Sequence, residues 1–447
     1  MEREGTHLLV PWPARTSRRV VIGLSLKSVP NDAAGLMSVP RDGGSFCSWT
    51  ARSQTHASAY TCTMASSVGV TMHGIPRAAA AAVADKSERD RERERKHIEQ
   101  YKALEVEVTQ KFHAGDFSNT TLQLTSRLLH QNPEYYTIWN HRRVVLEHVF
   151  ATELAASHEQ STAQAEEGDK AAAEKDGVSI AQREILLVIK EDLQYQIPLL
   201  KQWPKCYWIW NHRRWLLVTA TQHLPAHATL ELWKAELALV AKMLAMDSRN
   251  FHGWGYRREV VENIERLSGK SMVEPEFEYT TKMIQSNLSN FSAWHNRGQL
   301  IPRLLDERNA DAEARKDLFE KEFEQITNAL YTDPYDQSLW FYHQYLMSAL
   351  DEKNSNAPRI LDKVTNGDRL RYIEQEINSI KEMLDGAEDC KYIYQALLDY
   401  SRRYLEIDAA NKKVTTIEMK QWLNELRKID PLRDGRWQDL GKSLKLS

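Results

Sequence analysis

The chain has 447 residues and a formal net charge of −3, with 42% hydrophobic and 27% charged residues. These values are typical of a globular protein with a large core or two domains, and they give no reason to expect a polyanionic partner. No apolar run approaches the roughly 18 residues that a membrane-spanning helix needs. Cys47, Cys62, Cys206 and Cys390 form no CxxC pair and no metal-ligand spacing, which favours a reducing intracellular compartment.

Residues 1–71 differ in composition from the rest of the chain. They are rich in Ser, Thr, Gly, Pro and Arg without a sustained periodicity, which predicts a disordered extension. Their acidic residues argue against an organelle transit peptide. Because Met72 opens a more orderly sequence, a wrongly assigned translation start is an alternative explanation. The charged stretch from Asp85 to about Lys111 predicts an exposed helix that leads into the core.

A motif centred on a tryptophan then recurs. Its copies are NPEYYTIWNHRR (132–143), PKCYWIWNHRR (204–214), SRNFHGWGYRR (248–258), LSNFSAWHNRG (288–298) and PYDQSLWFYHQ (334–344). Successive tryptophans, which are Trp139, Trp210, Trp254, Trp294 and Trp340, lie 71, 44, 40 and 46 residues apart. The long first gap contains an Ala/Glu/Gln-rich insert, 151–179, whose removal restores a period in the low forties. The segment Asp430–Trp437 is a candidate degraded sixth copy.

A period near 40 in a helical sequence predicts stacked helix hairpins. Each unit has a turn with Pro or Asn and then a helix that carries the tryptophan, while amphipathic stretches such as Leu230–Leu244 supply the other helix. From about Lys111 to about residue 440 helical patterns dominate, and no convincing strand-like alternation appears. We therefore predict an all-α, right-handed, crescent-shaped superhelix of five to six repeats over 72–440, with a short tail, 441–447. Its concave side would present a surface to another protein.

The tryptophan and the basic residues that follow it have two interpretations. A large aromatic residue near the start of every second helix packs against the adjacent repeat. The arginines three residues later would then satisfy buried carbonyls and carboxylates at the repeat junctions or line the concave face; they are Arg142, Arg213, Arg257 and Arg297. The alternative is a nucleic-acid surface. It is disfavoured because the net charge is negative and each basic pair is tied to a tryptophan at helical spacing.

The five ordered motifs resemble the repeats of protein prenyltransferase α subunits. The resemblance covers residues 72 to about 440, and copies such as NPEYYTIWNHRRVVL (132–146) are most similar to the Rab, or type II, branch of the family. The sequence MHG, 72–74, resembles the start of such subunits. Animal members add an immunoglobulin-like insert and leucine-rich repeats. Neither is visible here, so the chain resembles the compact form.

The resemblance implies one half of an αβ enzyme. Such an enzyme transfers geranylgeranyl from geranylgeranyl diphosphate to C-terminal cysteines of Rab GTPases that an escort protein presents. The zinc ion and the isoprenoid pocket would belong to the β subunit, and the complex would be cytoplasmic, without nucleic acid and without membrane insertion. Two alternatives stay open: the α subunit shared by farnesyltransferase and type I geranylgeranyltransferase, and a tetratricopeptide-like scaffold with no enzymatic role.

The resemblance also assigns roles to residues in the turns. Lys205 would reach the lipid diphosphate and stabilise the charge that develops on the leaving group, and Tyr207 would offer a hydroxyl to the same site. Asn250 and His252, in the matching turn of the third repeat, would line the entrance. His73 would be an autoinhibitory zinc ligand if translation begins at Met72.

Two further features bear on the choice of substrate. In the α subunit shared by farnesyltransferase and type I geranylgeranyltransferase, a glutamine that helps to bind the peptide carboxylate typically follows the tyrosine of the second repeat. Here Trp208 stands at that place, which favours the Rab branch. The charged segment 306–325 predicts either an outer face for the escort protein or an ordinary solvated helix face.

Overall fold

The computed structural model describes residues 87–164, 177–351, 354, 356–410 and 413–446, with side chains undescribed for 157–164. Contacts divide the chain into Met1–Ala81 and Ala82–Ser447, and every described residue belongs to the second unit. The predictions for the extension 1–71, for His73 and for residues 165–176 of the insert therefore lie outside the described residues. None of the helices in the described part is both long and apolar enough to cross a bilayer.

Within these ranges the chain forms fifteen α-helices and no strand. They are α1 (Glu88–His113), α2 (Asn119–Gln131), α3 (Tyr136–Gln164), α4 (Ile180–Gln202), α5 (Tyr207–His223), α6 (Ala226–Met246), α7 (Phe251–Ser268), α8 (Val273–Ser286), α9 (Phe291–Glu307), α10 (Ala312–Thr332), α11 (Gln337–Ser348), α12 (Asn366–Glu382), α13 (Lys391–Ile407), α14 (Thr416–Ile429) and α15 (Asp434–Ser443). After α1 they pair in order, α2 with α3 through α14 with α15, and each hairpin contacts the next, in two cases through the side-chain pairs Arg257–Glu276 and His343–Glu376. The predicted all-α fold of repeated helix hairpins is confirmed.

Each repeat tryptophan is buried and fixes the turn that precedes it. The indole Nε1–H of each donates to the carbonyl six residues earlier at 2.8–2.9 Å, and no tryptophan of the series is more than 3% exposed. The buried polar atom of the indole is thereby satisfied within the core. The hydrogen bond also ties the start of each second helix to its own turn, so that turn and helix move together.

The sixth repeat lies one hairpin earlier than the sequence indicated. In α12–α13 the tryptophan is replaced by Tyr394, whose hydroxyl donates to the carbonyl of Glu388, six residues back, at 2.7 Å. Trp437 belongs to a seventh hairpin, and it donates to the carbonyl of Asp430 at 3.2 Å across a short 3-10 turn, Pro431–Arg433. A search for tryptophan misses the sixth copy because tyrosine makes the same bond with a different donor atom.

Arginines of the series link each hairpin to the next. The arginine three residues after the tryptophan meets a carboxylate on the first helix of the following hairpin, and both side chains are at most 5% exposed in every pair. The pairs are Arg142–Asp192, Arg213–Glu236, Arg257–Glu276 and Arg297–Glu322. Because an unpaired buried charge is very costly, a shift of one hairpin along its neighbour would be strongly destabilising. The ion pairs therefore set the register of the stack.

The fifth and sixth repeats vary this arrangement. In the fifth, His343 replaces the arginine, and its Nε2 lies 2.7 Å from a carboxylate oxygen of Glu376 in α12. The Nδ1 atom of His343 lies 2.8 Å from the hydroxyl of Tyr400 in α13. In the sixth repeat the equivalent residue is Leu397, which is fully buried. The charged links thus give way to apolar packing toward the carboxyl-terminal end.

His212 in α5 joins the first of these ion pairs. Its Nε2 lies 2.7 Å from Oδ2 of Asp192, and its Nδ1 lies 3.4 Å from Nε of Arg143. Burial lowers the pKa of His212 to about 4, although the charge of Asp192 opposes this shift. Burial acts to raise the pKa of Asp192, but Arg142 and His212 outweigh it and hold that pKa well below its usual range. A neutral imidazole that donates from Nε2 and accepts at Nδ1 satisfies all three groups.

Breaking one buried ion pair should destabilise the chain strongly. We expect Arg257→Met to lower the free energy of unfolding by about 3 kcal/mol, since it strands the Glu276 carboxylate in the core. The double variant Arg257→Met, Glu276→Leu should recover most of this loss, because no buried charge remains. Urea unfolding followed by circular dichroism measures both changes. If the double variant has the same free energy of unfolding as Arg257→Met, the stranded charge is not the cause of the loss, which contradicts the view that charge pairing sets the register of the hairpins.

Protonation of His212 should make stability depend on pH. The folded-state pKa lies below the unfolded value near 6.5, so the unfolded chain takes up the proton first. Stability is therefore complete above about pH 6.5 and is lost as the pH falls toward 4. Between pH 7 and 5 this residue should account for on the order of 1–2 kcal/mol. The His212→Gln variant keeps a donor for Asp192 but does not titrate, so its free energy of unfolding should fall less between pH 7 and 5. If plots of unfolding free energy against pH are parallel for the variant and the wild type, the assignment is refuted.

Candidate functional site

The turn between α4 and α5 carries the residues predicted to act in chemistry. Cys206 caps α5 and is buried, and its thiol donates to the carbonyl of Pro133 in the preceding turn at 3.4 Å. Burial raises the pKa of Cys206 to about 12, so it remains a thiol. The residues on either side of it behave differently: Lys205 and Tyr207 both reach the surface.

Lys205 presents a mobile cation. Its side chain is 61% exposed, and its Nζ lies 3.7 Å from Oδ2 of Asp247, in the turn of the third repeat. An exposed ion pair at this distance contributes little stability, so the ammonium can leave Asp247 for a stronger anion at small cost. A di- or polyanionic group that approaches the edge formed by the two turns would be such a ligand.

Tyr207 and His252 lie beside this lysine on the same edge. Tyr207 is the first residue of α5 and is 49% exposed, and its hydroxyl accepts a hydrogen bond from Nδ2 of Asn211 at 3.1 Å. Its ring centroid lies 6.0 Å from that of His252, whose ring is tilted by 35° against the ring of Phe251 with centroids 3.9 Å apart. Burial lowers the pKa of His252, against the charge of Glu134. The structure thus brings an ammonium, a phenol and an imidazole to one edge.

Asn250 occupies a different place from the other three. It is 2% exposed. Its Oδ1 accepts hydrogen bonds from the backbone N–H groups of His252 and Gly253, and its Nδ2 donates to the carbonyl of Pro204 at 2.8 Å. Both ends of the amide are therefore engaged beneath the edge rather than presented to it.

Trp208 is half-buried next to the site. Its ring centroid lies 5.2 Å from that of Tyr207 and 5.4 Å from that of Tyr136 in the preceding repeat. It therefore bridges the aromatic residues of two neighbouring repeats. An indole at this place offers an apolar face, which fits a lipid or an aromatic partner better than a free carboxylate.

An exposed aromatic row was overlooked in the sequence. In four repeats the residue three positions before the tryptophan is aromatic, is the first residue of its helix and is 46–67% exposed; these residues are Tyr136, Tyr207, Phe251 and Phe291. Exposed aromatic residues repeated along one edge are characteristic of interaction surfaces. The sequence carries this signal as an aromatic residue three positions before each of the first four tryptophans of the motif.

The same edge changes character between repeats. Arg143, Arg214 and Arg258 follow the tryptophans of the first three repeats by four residues, whereas Gly298 stands there in the fourth. A Cβ atom at Gly298 would lie 2.9 Å from the ring of Tyr345, so the close packing of that ring requires glycine. Phe291, Phe341 and Tyr345 then line a shallow apolar pocket of about 240 Å³.

Two other expectations can be placed in the structure. The segment 306–325 covers the end of α9 and much of α10, and it includes buried Phe319, Glu322 and Phe323, so only part of it is an outer face. Across the residues that the structure describes, no three His, Cys, Asp or Glu side chains are grouped so that they could hold a metal ion.

A family model matches the repeated hairpins. The model of the protein prenyltransferase alpha subunit repeat matches residues 118–149, 199–220, 233–264, 273–304 and 319–350, the first five hairpins. A solved structure, Candida albicans protein geranylgeranyltransferase-I complexed with GGPP, aligns over 78% of this chain and 91% of its own, with 17% identity and a TM-score of 0.49.

The curated relatives are more specific. The geranylgeranyl transferase type-2 subunit alpha of Saccharomyces cerevisiae is 33% identical over 77% of this chain and 92% of its own length. The protein of the same name from Homo sapiens is 34% identical over 58% of this chain but only 39% of its own length. The match thus spans nearly the whole fungal protein and a minor part of the human one. The chain belongs to the family of geranylgeranyl transferase type-2 α subunits.

Proposed function

We propose that this α subunit acts with a β subunit to transfer a geranylgeranyl group from geranylgeranyl diphosphate to C-terminal cysteine thiols of Rab GTPases, which an escort protein presents. The family membership supports the type of enzyme. The observation that carries the part played by this chain is the exposed edge where Lys205, Tyr207 and His252 come together. It supplies a cation and two hydrogen-bonding groups where an anionic leaving group could be received.

Lys205 is the proposed catalytic residue of this chain. When the bond between the isoprenoid carbon and the diphosphate breaks, negative charge grows on the bridging oxygen and spreads over the diphosphate. An ammonium placed against that oxygen is attracted more strongly to the transition state than to the bound substrate, which lowers the barrier. Exchange of the weak contact with Asp247 for the diphosphate makes the cation available at little cost.

Tyr207 and His252 would support the same anion. The phenol of Tyr207 can turn its O–H toward a phosphate oxygen while it still accepts from Asn211. His252 has a lowered pKa, so at neutral pH it is an uncharged partner that can donate one hydrogen bond. The net charge of the edge is then set by Lys205.

The remaining chemistry belongs to the β subunit in this proposal. A zinc ion bound there would keep the incoming cysteine as a thiolate, the nucleophilic form. The isoprenoid pocket would also be supplied by that subunit. We place the reaction in the cytoplasm, where Cys206 and Cys390, both free and buried in this chain, stay reduced.

We also propose that the β subunit docks on the aromatic row Tyr136, Tyr207, Phe251 and Phe291. Docking there would bury four exposed aromatic rings and would bring the zinc-containing subunit against Lys205. Trp208, in place of a glutamine, favours a substrate delivered by an escort protein over direct reading of a short C-terminal peptide.

Removal of the lysine should slow transfer without disrupting assembly. We expect Lys205→Ala to lower the single-turnover rate of transfer to an escort-bound Rab by roughly 10²-fold, with heterodimer affinity unchanged. Lys234→Ala, at an exposed lysine of α6 paired with Glu231, is the matched control and should behave as wild type. A wild-type rate for Lys205→Ala would refute the catalytic role, and activity on short C-terminal peptides only would refute the Rab assignment.

Removal of one exposed ring should weaken assembly. Phe251 is 67% exposed, so Phe251→Ser should leave the isolated chain folded. If the ring is a contact of the β subunit, the dissociation constant of the heterodimer should rise about tenfold or more, as expected for an aromatic anchor. Ile417→Ser changes a residue that is 71% exposed at the start of α14, away from the aromatic row, and should have no effect. Equal affinities for both variants, measured by titration calorimetry, would argue against this docking face.

A further inference from the structure

The carbonyl of Pro204 accepts two hydrogen bonds, both partly shielded from solvent. Nε1 of Trp210 donates to it at 2.9 Å from the same repeat, and Nδ2 of Asn250 donates to it at 2.8 Å from the next. This carbonyl belongs to the planar peptide unit that joins Pro204 to Lys205. The two donors therefore fix the orientation of the peptide from which the Lys205 side chain extends.

The same pair of hydrogen bonds to one carbonyl oxygen recurs along the stack. At Pro133, Ser248 and Pro334 too, the carbonyl six residues before a tryptophan also accepts a hydrogen bond from the residue at the N-cap position of the second helix of the next repeat. Cys206 donates to the carbonyl of Pro133 at 3.4 Å, Asn290 to that of Ser248 at 2.7 Å and Cys390 to that of Pro334 at 3.0 Å. The junction at Leu288 differs, since the next cap is Asp336, which cannot donate and accepts instead from Ser289.

Asn250 also holds the other side of the site. Its Oδ1 accepts from the backbone N–H of His252 at 3.1 Å, while its Nδ2 binds the Pro204 carbonyl. One buried side chain thus connects the turn of Lys205 to the helix start that carries His252. It is 2% exposed, so it makes these contacts without reaching the edge itself.

We propose that Asn250 is a positioning residue for Lys205, a role that rests on the proposed function of that lysine. The bond from the Asn250 amide sets the direction in which the lysine leaves the turn, and hence the place of its ammonium against the leaving diphosphate. A long side chain on a loosely held turn would sample many positions, and a misplacement of about 1 Å can cost as much as 10²-fold in rate.

Two substitutions separate positioning from helix capping. Asn250→Asp keeps an oxygen that accepts from His252 and Gly253 but removes the donor to Pro204; the helix N-terminus keeps the carboxylate ionised. Asn250→Cys keeps a weak donor, as Cys206 and Cys390 do at the equivalent positions, but gives up the cap, since Cys206 makes no side-chain capping bond. Cys206 and Cys390 thus show that a cysteine at this position can donate to the carbonyl of the preceding turn.

The measurements are the single-turnover rate at saturating geranylgeranyl diphosphate and the melting temperature, both on the assembled heterodimer. We expect Asn250→Asp to slow transfer about tenfold, with a fall in melting temperature no larger than that of Asn290→Asp, which places a carboxylate against the equivalent carbonyl. Asn250→Cys should retain more of the rate while it melts earlier. If Asn250→Asp, which keeps the helix cap, transfers faster than Asn250→Cys, which keeps the donor to Pro204, the proposal is overturned.

A double-variant cycle tests whether Asn250 acts through the lysine. In the Lys205→Ala background, Asn250→Asp should cause no further loss of rate, because the group it positions is gone. An undiminished tenfold loss in that background would overturn the positioning role. If Lys205→Ala alone leaves the rate unchanged, the proposed function of the lysine fails and the positioning role fails with it; if only Asn250→Asp is without effect, positioning alone fails.

Asn290→Asp is the matched control. It removes the equivalent donor to the Ser248 carbonyl and introduces the residue that Asp336 already provides in the fifth repeat. The Ser248 carbonyl is followed by Arg249, whereas the Pro204 carbonyl is followed by the proposed catalytic Lys205. We expect a wild-type rate of transfer. A loss equal to that of Asn250→Asp would show a general effect on the stack and would overturn a role specific to Lys205.

Discussion

Buried ion pairs between successive hairpins are the constraint on which the rest of the structure depends. Four arginines on second helices meet carboxylates on the first helices that follow, with all eight side chains nearly inaccessible to solvent. Apolar packing alone would tolerate a small sliding of one hairpin along another. A pair of buried charges does not, because each displaced partner would lose both its counter-charge and its hydrogen bonds.

The second helix of each repeat serves two surfaces. The tryptophan and the residues two and three positions later point inward, toward the core and the next hairpin. The residue three positions before the tryptophan is exposed in the first four repeats, and the residue four positions after it is exposed or half-buried in the first three. A single helix can therefore keep the tryptophan and the arginine after it on its inner face while its outer edge varies, from arginines in the first three repeats to an apolar pocket beside the buried Gly298 in the fourth.

Exposure of the candidate site explains why this chain would need a partner. Lys205 and Tyr207 are both about half exposed, so water screens their interaction with any anion bound to the isolated subunit. A second protein surface that covered this edge would exclude that water and strengthen every electrostatic contact within it. The division of labour between two subunits thus has a simple electrostatic reason.

The sequence determined the helical class and the hairpin period, because the tryptophans and the arginines after them recur at a period near 40 within helical patterns. The family followed from the resemblance of the five motifs. It could not reveal the sixth repeat, where Tyr394 makes the bond of a tryptophan with a different donor atom. It could not reveal the buried acids Asp192, Glu236, Glu276, Glu322 and Glu376, since a single acid within a charged helix looks the same whether it faces solvent or an arginine or histidine 19 to 50 residues away. The sequence grouped Asn250 with Lys205, Tyr207 and His252 by motif position alone. Only the tertiary structure separates them, because which side of a turn faces the neighbouring repeat depends on how the hairpins stack, and there the amide of Asn250 points inward to the carbonyl of Pro204.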